Sequence, residues 1–270
     1  MNEIQNVLII GCGDLGVRVA RLELARGRSV AGRLLYYFAP PPGGGPWDTR
    51  MRNFCATVGT AAPPAGVVYV STSGVYGDCS GQWVTEETPV NPQTSRAKRR
   101  LDAETALTDW GKRLGVAVVI LRVTGIYGPG RLPLARLQQG HPVLREEESP
   151  PTNRIHVDDL AVVCAAAEKG EDGEVFNVSD GRPGTMTEYF TAAADLLGLP
   201  RPPQVTMAQA RQVMTPMMLS YLTETRRMDN RRMRERLGVT LRYPDLESGL
   251  KNVIDQLGQP NMGYLGSIGH

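Results

Sequence analysis

Three short stretches of this chain carry groups whose types and spacing could do chemistry. STSGVYGD (Ser71–Asp78) begins at the last residue of the apolar, β-branched run VVYVS, so its hydroxyls fall at the carboxyl end of an expected strand. TSRAK (Thr94–Lys98) opens the next helical stretch, with Lys98 one helical turn beyond Thr94. In VLIIGCGDLGVRVA (Val7–Ala20) an apolar run breaks into Gly11, Gly13 and Gly16 before an apolar pattern resumes at helical spacing. That reads as strand, tight turn and helix. Gly11 makes the turn, Gly13 lets a pyrophosphate approach the backbone, and Gly16 lets the helix pack closely on the strand. The phosphates would sit on the helix N-terminus, where unpaired N–H groups and the helix dipole favour negative charge. The plain alternative is an ordinary strand-to-helix turn. The β-rich residues before and the amphipathic stretch after favour a dinucleotide.

The elements that must position these groups follow from the rest of the chain. With 270 residues and 41% hydrophobic content it can form one large domain, or a domain with a smaller lobe. The formal net charge of +2 implies no nucleic-acid partner. Cys12, Cys55, Cys79 and Cys164 are widely separated and lack metal-ligand or CxxC spacing, so no metal is expected and they read as reduced thiols of a cytoplasmic protein. The N-terminus carries no basic stretch ahead of an apolar core, and no apolar run is long enough to span a bilayer, so no export or membrane insertion is expected.

The spacing predicts a first helix over 14–27, a strand at Ser29–Ala31, a further strand at Leu34–Ala39, then the loop Pro40–Pro46. A helix is expected over 47–58, a buried strand at Val67–Ser71, a long helix over 95–114, and another strand at Val116–Leu121. Alternating strands and helices argue for an α/β fold, a Rossmann-type doubly wound parallel sheet. Between Gly32 and Leu34 there is room only for a turn, whereas a βαβ crossover takes about 30 residues or more. Either this chain has dropped such a unit or a segment is absent. The residue that would choose NAD over NADP therefore cannot be read, although Arg33 stands near its place and would favour a 2′-phosphate. Beyond Tyr127, Pro- and Gly-rich loops surround short helices expected over 132–139, 157–169, 187–197, 207–222, 230–237 and 246–257. The expected division is a dinucleotide-binding domain over 1–126, a mostly helical substrate lobe over 127–257 interleaved with the last sheet strands, and a tail over 258–270.

GCGDLG, YVSTSGVYG, NPQTSRAK, LRVTGIYGPGR, NRIHVDDLA, VFNVSDG and DNRRMRERLGVTLRYPDLESGL occur in this order along nearly the whole chain. In order and spacing they resemble the extended short-chain dehydrogenase/reductase family, which includes nucleoside-sugar epimerases and dehydratases. The resemblance implies NAD or NADP as cofactor, with contacts from Gly11, Gly13, Asp14, Leu15, Gly16, Ala39, Ser71, Lys98 and Val123. It places the family's catalytic Ser/Thr on Thr72 and its YxxxK motif on Thr94–Lys98, so the lysine is present and the tyrosine is not. A phenol titrates near 10 and an aliphatic hydroxyl several units higher, so Thr94 cannot serve as the base. The chain thus resembles the atypical members lacking the active-site tyrosine. Another group could supply the proton (Tyr76, Tyr127 and His156 are near these motifs), positioning and hydride transfer could suffice, or redox chemistry could be lost.

The resemblance further implies a small-molecule substrate, with Ser73, Tyr76, Tyr127, Arg131 and Arg154 as contacts. Gly125 stands where nucleotide-sugar enzymes usually carry Asn, and Thr152 where they usually carry Arg. An Arg–phosphate contact is charge-assisted and often bidentate, so a nucleotide sugar is disfavoured. The expected function is an NAD(P)-dependent epimerase, dehydratase or reductase acting on a small hydroxylated or carbonyl, sugar-like compound. The alternative is a dinucleotide-binding protein without turnover that senses cofactor or acts through a partner. By analogy with the family, a homodimer could form through the helices over 47–58 and 95–114. His156 and Asp158 also suit purely structural roles at a helix start, Glu146–Glu148 a solvated run, and Met214–Leu222 a buried helix or, alternatively, a substrate-pocket wall or subunit contact.

Overall fold

The computed structural model describes residues 6–58 and 63–257. Its centre is a five-stranded sheet built from β1 (Asn6–Ile10), β2 (Ser29–Tyr37), β3 (Gly66–Thr72) and the strands Ala117–Val123 and Val175–Val178. All neighbours are parallel. Apolar β-branched runs suit strands covered on both faces, and the two-residue period divides them cleanly. Leu35, Tyr37, Val67, Tyr69, Val118 and Ile120 pack beneath α2 (Thr49–Thr57) and α3 (Ser95–Leu114). Leu34, Tyr36, Val68, Val70, Val119 and Leu121 face α1 (Asp14–Ala25) and a helix over Val157–Ala166. The expected Rossmann-like α/β fold is therefore present, with helices on both faces.

The strand order is β1, β2, β3, Ala117–Val123, Val175–Val178, which follows the chain without reversal. In the usual doubly wound order the first strand is internal and the second and third lie beyond it. Here β1 is an edge among the described residues. The two short stretches expected at 29–31 and 34–39 form one strand whose register jumps, since Asn6 pairs with Ser29 and Val7 with Leu34. Opposite faces carry α1 and α3 although both link strands that step in the same direction across the sheet, so the two crossovers have opposite hands. Parallel crossovers are right-handed in about 98% of cases. With α3 right-handed, α1 lies where a right-handed connection would have led to the other side of β1. The geometry is that of a doubly wound sheet lacking its outer α/β unit. The side chain of Arg33, near the register jump, lies outside the described residues.

Short helices complete the chain: α4 (Leu134–Gln138), α5 (Val157–Ala166), α6 (Met186–Leu197), α7 (Met207–Val213), α8 (Pro216–Thr223), α9 (Arg231–Leu237) and α10 (Leu246–Leu257). A single helix expected over 207–222 is two. Met214 is extended, Thr215 caps a new helix by accepting from the Met218 amide, and Pro216 takes its first turn, where a missing N–H costs nothing. A second core of Tyr127, Leu137, Val143, Tyr189, Phe190 and Leu250 packs α4, α6 and α10 together, and Val175–Val178 returns to the main sheet. The expected tail over 258–270 lies outside the described residues. Among the described residues, no helix is long and apolar enough to cross a membrane.

One buried ion pair fastens α3 to the sheet. Arg122 on the Ala117–Val123 strand donates to Glu104 of α3 through Nη2 (2.9 Å) and Nε (3.3 Å), and both side chains are almost wholly buried. Its Nη1 donates to the Tyr76 hydroxyl at 3.0 Å, which donates in turn to Asn177 Oδ1 at 2.8 Å. Ser71 Oγ donates to Glu104 Oε1 at 2.5 Å. Removing one partner of such a pair leaves an uncompensated buried charge. Glu104→Ala is expected to lower unfolding free energy by about 3–5 kcal/mol in urea titrations followed by circular dichroism; a loss below about 1 kcal/mol would show that the pair does not anchor the helix.

Candidate functional site

The glycine turn separates into three physical situations. Gly11 has φ +86°, and a Cβ there would stand 2.5 Å from the Ala39 nitrogen, so the fold itself demands glycine. A Cβ on Gly16 would meet Gly11 O at 3.1 Å and Ile9 Cγ2 at 3.3 Å, which measures how closely α1 lies on β1. Gly13 differs from both. It caps α1 with φ −81° and ψ −163°, offers no side-chain cap, and a Cβ would meet nothing within 4 Å. The first amides of α1, including those of Asp14 and Leu15, have no acceptor within the helix. Asp14 binds Arg18 and Arg131, each through Nε at 3.0 Å, and Arg18 also pairs with Asp158 of α5. Arg131 is thus drawn to the glycine turn rather than left free for a substrate.

A cleft of about 530 Å³ opens at the carboxyl edge of the sheet. Its floor is Thr72, Ser73 and Gly74 after β3, with Thr124 and Gly125 after the next strand; one wall is the loop Pro40–Gly43 and another the start of α3. Thr72 caps the turn Ser73–Tyr76 by accepting from the Gly74 amide at 3.2 Å. Thr72 and Ser73 therefore stand where the motifs suggest, side by side in the cleft.

Several expected site residues do not reach it. Thr94 caps α3, its hydroxyl accepting from the Ala97 amide at 3.4 Å, and Lys98 is exposed outside the cleft. The α3 residues that line it are Arg96, Ala97, Arg99 and Arg100. Arg96 and Arg100 thus hold the i, i+4 relation that the motif assigned to Thr94 and Lys98. The physical reason is the rotation of the helix. Ala103, Glu104, Leu107, Trp110 and Gly111 are its buried stripe, and extending that stripe back by three- and four-residue steps gives 100, 97 and 96. Lys98 continues instead into Thr105 and Asp109, which are exposed. This amphipathic period was the available signal for Arg96 and Arg100.

Ser71 and Val123 are buried in the sheet, and the Ser71 hydroxyl is committed to Glu104. Tyr76 is buried in a small cluster with Val75, Val84 and Met228, and Tyr127 in the second core; burial raises both phenols above their ordinary range, and Tyr127 donates to the Asp245 carbonyl. Arg154 is buried against the Tyr189 ring, donates to the Thr185 carbonyl, and is held below its usual range by burial. These residues brace the walls. Tyr221 of α8, within the stretch Met214–Leu222, lines the cleft, and its ring centre lies 4.2 Å from the Arg96 guanidinium carbon. The sequence leaves that stretch open to a role as a pocket wall, but which of its residues faces the cleft is set by tertiary packing. Among the described residues, no cluster of His, Cys, Asp and Glu is arranged to hold a metal ion.

His156 is a cap. Its Nδ1 accepts from the Asp158 amide at 3.2 Å, its ring packs against Tyr127 and Tyr243, and Nε2 is buried without a partner.

Residues 50–179 match the NAD dependent epimerase/dehydratase family. Protein YeeZ of Escherichia coli (strain K12) is 31% identical over 140 residues, covering 51% of this chain and 48% of YeeZ. The chain therefore aligns with about half the length of the curated relatives it matches first. A functionally unknown conserved protein from Silicibacter pomeroyi superposes with TM-score 0.80 at 29% identity, over 94% of this chain and all (100%) of that one. The UDP-glucuronic acid 4-epimerase from Bacillus cereus, solved in complex with NAD, superposes with TM-score 0.73 at 16% identity, over 94% of this chain and 100% of its own. The latter likeness is one of fold.

Burial drives the pKa of His156 down from 6.5 to about 4. Between these values the unfolded chain binds the proton and the folded chain does not, so stability falls as pH drops through that window. Asp180, raised to about 7 by burial, acts in the opposite sense, which makes a difference measurement necessary. Relative to His156→Asn, which keeps a cap acceptor, the wild type is expected to lose about 3 kcal/mol of stability between pH 6.5 and 4. A constant difference across that window, measured by denaturant titration, would contradict the assignment.

Proposed function

We propose that this chain is an NAD(P)-binding epimerase/dehydratase-like protein whose cofactor phosphates rest on the Gly13 end of α1 and whose substrate occupies the cleft beside Thr72. Gly13 is the observation that carries the reading. Its backbone is available to any residue and its Cβ direction is open, so packing does not require glycine there. Close approach of a ligand to the backbone does. The free amides of Asp14 and Leu15 supply donors, and the helix dipole adds favourable potential. Arg18 and Arg131 balance the Asp14 carboxylate, which would otherwise repel phosphate.

When bound, the nicotinamide supplies a hydride acceptor or donor. Thr72 and Ser73 orient a substrate oxygen at the sheet edge, while the Pro40–Gly43 loop limits solvent access from one side. The cleft-facing positions of α3 are Arg96 and Arg100, and a guanidinium is neither acid nor base near neutral pH. Their work is to hold and polarise rather than to move a proton. Because β1 is an edge among the described residues, the glycine turn and the cleft would hold the phosphate and nicotinamide halves of a bound cofactor, and the adenosine half would lie toward an uncovered edge. Two guanidinium groups on the cleft-facing side of α3 also support a second reading, cofactor binding without turnover.

Gly13→Asp separates binding from folding. Aspartate is a preferred N-cap, so the thermal midpoint should hold or rise. Its carboxylate would occupy the phosphate position and repel it, and calorimetric affinity for NAD or NADP should fall at least tenfold, about 1.4 kcal/mol. Undiminished affinity would sink the proposal.

A further inference from the structure

Among the described residues, twelve of this protein's 26 arginines form an ion pair with a carboxylate. Arg18 pairs with Asp14 and Asp158, Arg28 with Glu23 and Glu168, and Arg236 with Glu171 and Glu174. Those on the first turns of α3 are different. Among the described residues, Arg96, Arg99 and Arg100 form no ion pair with a carboxylate. Arg96 donates to Ser220 Oγ at 3.1 Å and stacks on Tyr221. Arg99 donates to the Gly45 carbonyl at 2.6 Å, and Arg100 to the Tyr69 hydroxyl and the Val70 carbonyl, each at 3.1 Å. All three line one cleft.

Such an arrangement opposes local preference twice. Like charges at i, i+3 and i, i+4 repel one another. They also sit at a helix N-terminus, where the dipole disfavours cations, and the first turn of α3 carries no acidic residue. A buried counter-charge from the protein would relieve this, but the carboxylate lining the cleft is Glu224, which faces Arg226 at 4.0 Å. Three polar atoms in the cleft walls are buried without a hydrogen-bond partner, Nε of Arg99, Nε of Arg226 and Oε1 of Glu224, so donors outnumber the acceptor, and Arg99 is only 8% exposed. Buried donors left unpaired are uncommon, and a bound ion is one of the few arrangements that satisfies them.

We infer that this cleft takes a substrate bearing a phosphate monoester on a small hydroxylated body, with Arg96 and Arg100 holding the phosphate and Thr72 and Ser73 meeting a hydroxyl of the body. The inference rests on the proposed function and specifies its substrate class. A dianion matches the uncompensated positive charge better than a neutral sugar does, and the planar guanidinium fork suits its oxygens. The hydroxyls of Thr72 and Ser73 line the same cleft and suit a compact polyol rather than an extended apolar chain.

The test is calorimetry on the full chain with glucose 6-phosphate, glucose and inorganic phosphate, each with and without NAD. Glucose 6-phosphate is expected to bind at least tenfold tighter than glucose or inorganic phosphate. Arg96→Gln/Arg100→Gln should weaken it at least tenfold, and Lys112→Gln, which removes an exposed charge from the far end of α3, should leave it unchanged. Because the double variant could disturb folding, Arg96→Lys/Arg100→Lys serves as a charge-retaining check and should recover part of the affinity. Glucose 6-phosphate that fails to bind, binds no better than inorganic phosphate, or binds the glutamine variant equally well overturns the inference. NAD binding read in the same titrations judges the proposed function separately: NAD bound without the phosphate ester leaves that reading standing and this inference refuted.

Discussion

The rotation of one helix about its own axis decides what this site can do, and a buried ion pair sets that rotation. Glu104 on α3 meets Arg122 on the neighbouring strand inside the protein, with Ser71 and Tyr76 completing the network. Close packing reinforces it at the far end of the helix, where a Cβ on Gly111 would stand 2.6 Å from Val118 Cγ2. With both ends fixed, the first turns of α3 can present only one face to the cleft. That face carries guanidinium groups, and Lys98 is turned to solvent. The chemistry available at the sheet edge therefore follows from contacts one to four helical turns away. Charge at the cleft is high, and proton-transferring groups are few.

Much of this was legible in residue order. The glycine turn, the buried β-branched strands and the alternation of strands with helices each reflect a short-range rule, and the structure carries all three. The cleft floor at Thr72 and Ser73 was legible for the same reason, since residues after a parallel strand emerge at its carboxyl edge. The position of the YxxxK pair was not. Motif spacing placed it on Thr94 and Lys98, yet Thr94 is consumed as a helix cap, and the buried stripe defined by Leu107, Trp110 and Gly111 points back to Arg96 and Arg100. Helical phase, read over the whole of α3, outweighs a five-residue match. Ser71, Tyr76, Tyr127 and Arg154 illustrate a different limit. Their polar groups are satisfied by partners distant in sequence, Glu104, Asn177, Asp245 and Thr185, which no local pattern reveals.

The sheet itself shows where sequence and topology met. Too little chain follows the second strand for a full crossover, and the structure answers with a register jump between Ser29 and Leu34 and with β1 at an edge. The opposite hands of the α1 and α3 crossovers are the topological trace of the same shortfall. What remains is the turn at Gly11–Gly16, the strand end at Thr72, and α3, the parts to which the proposed function assigns phosphate and substrate. What is missing is the flank on which an adenosine would ordinarily lie.

A crystal structure of the chain grown with NAD would test this account most directly. The expected result is pyrophosphate density against the amides at Gly13–Leu15 and a nicotinamide ring reaching the carboxyl edge of the sheet beside Thr72, with weaker density for the adenosine beyond β1. Nucleotide density elsewhere, or a pyrophosphate held away from the glycine turn, would contradict it.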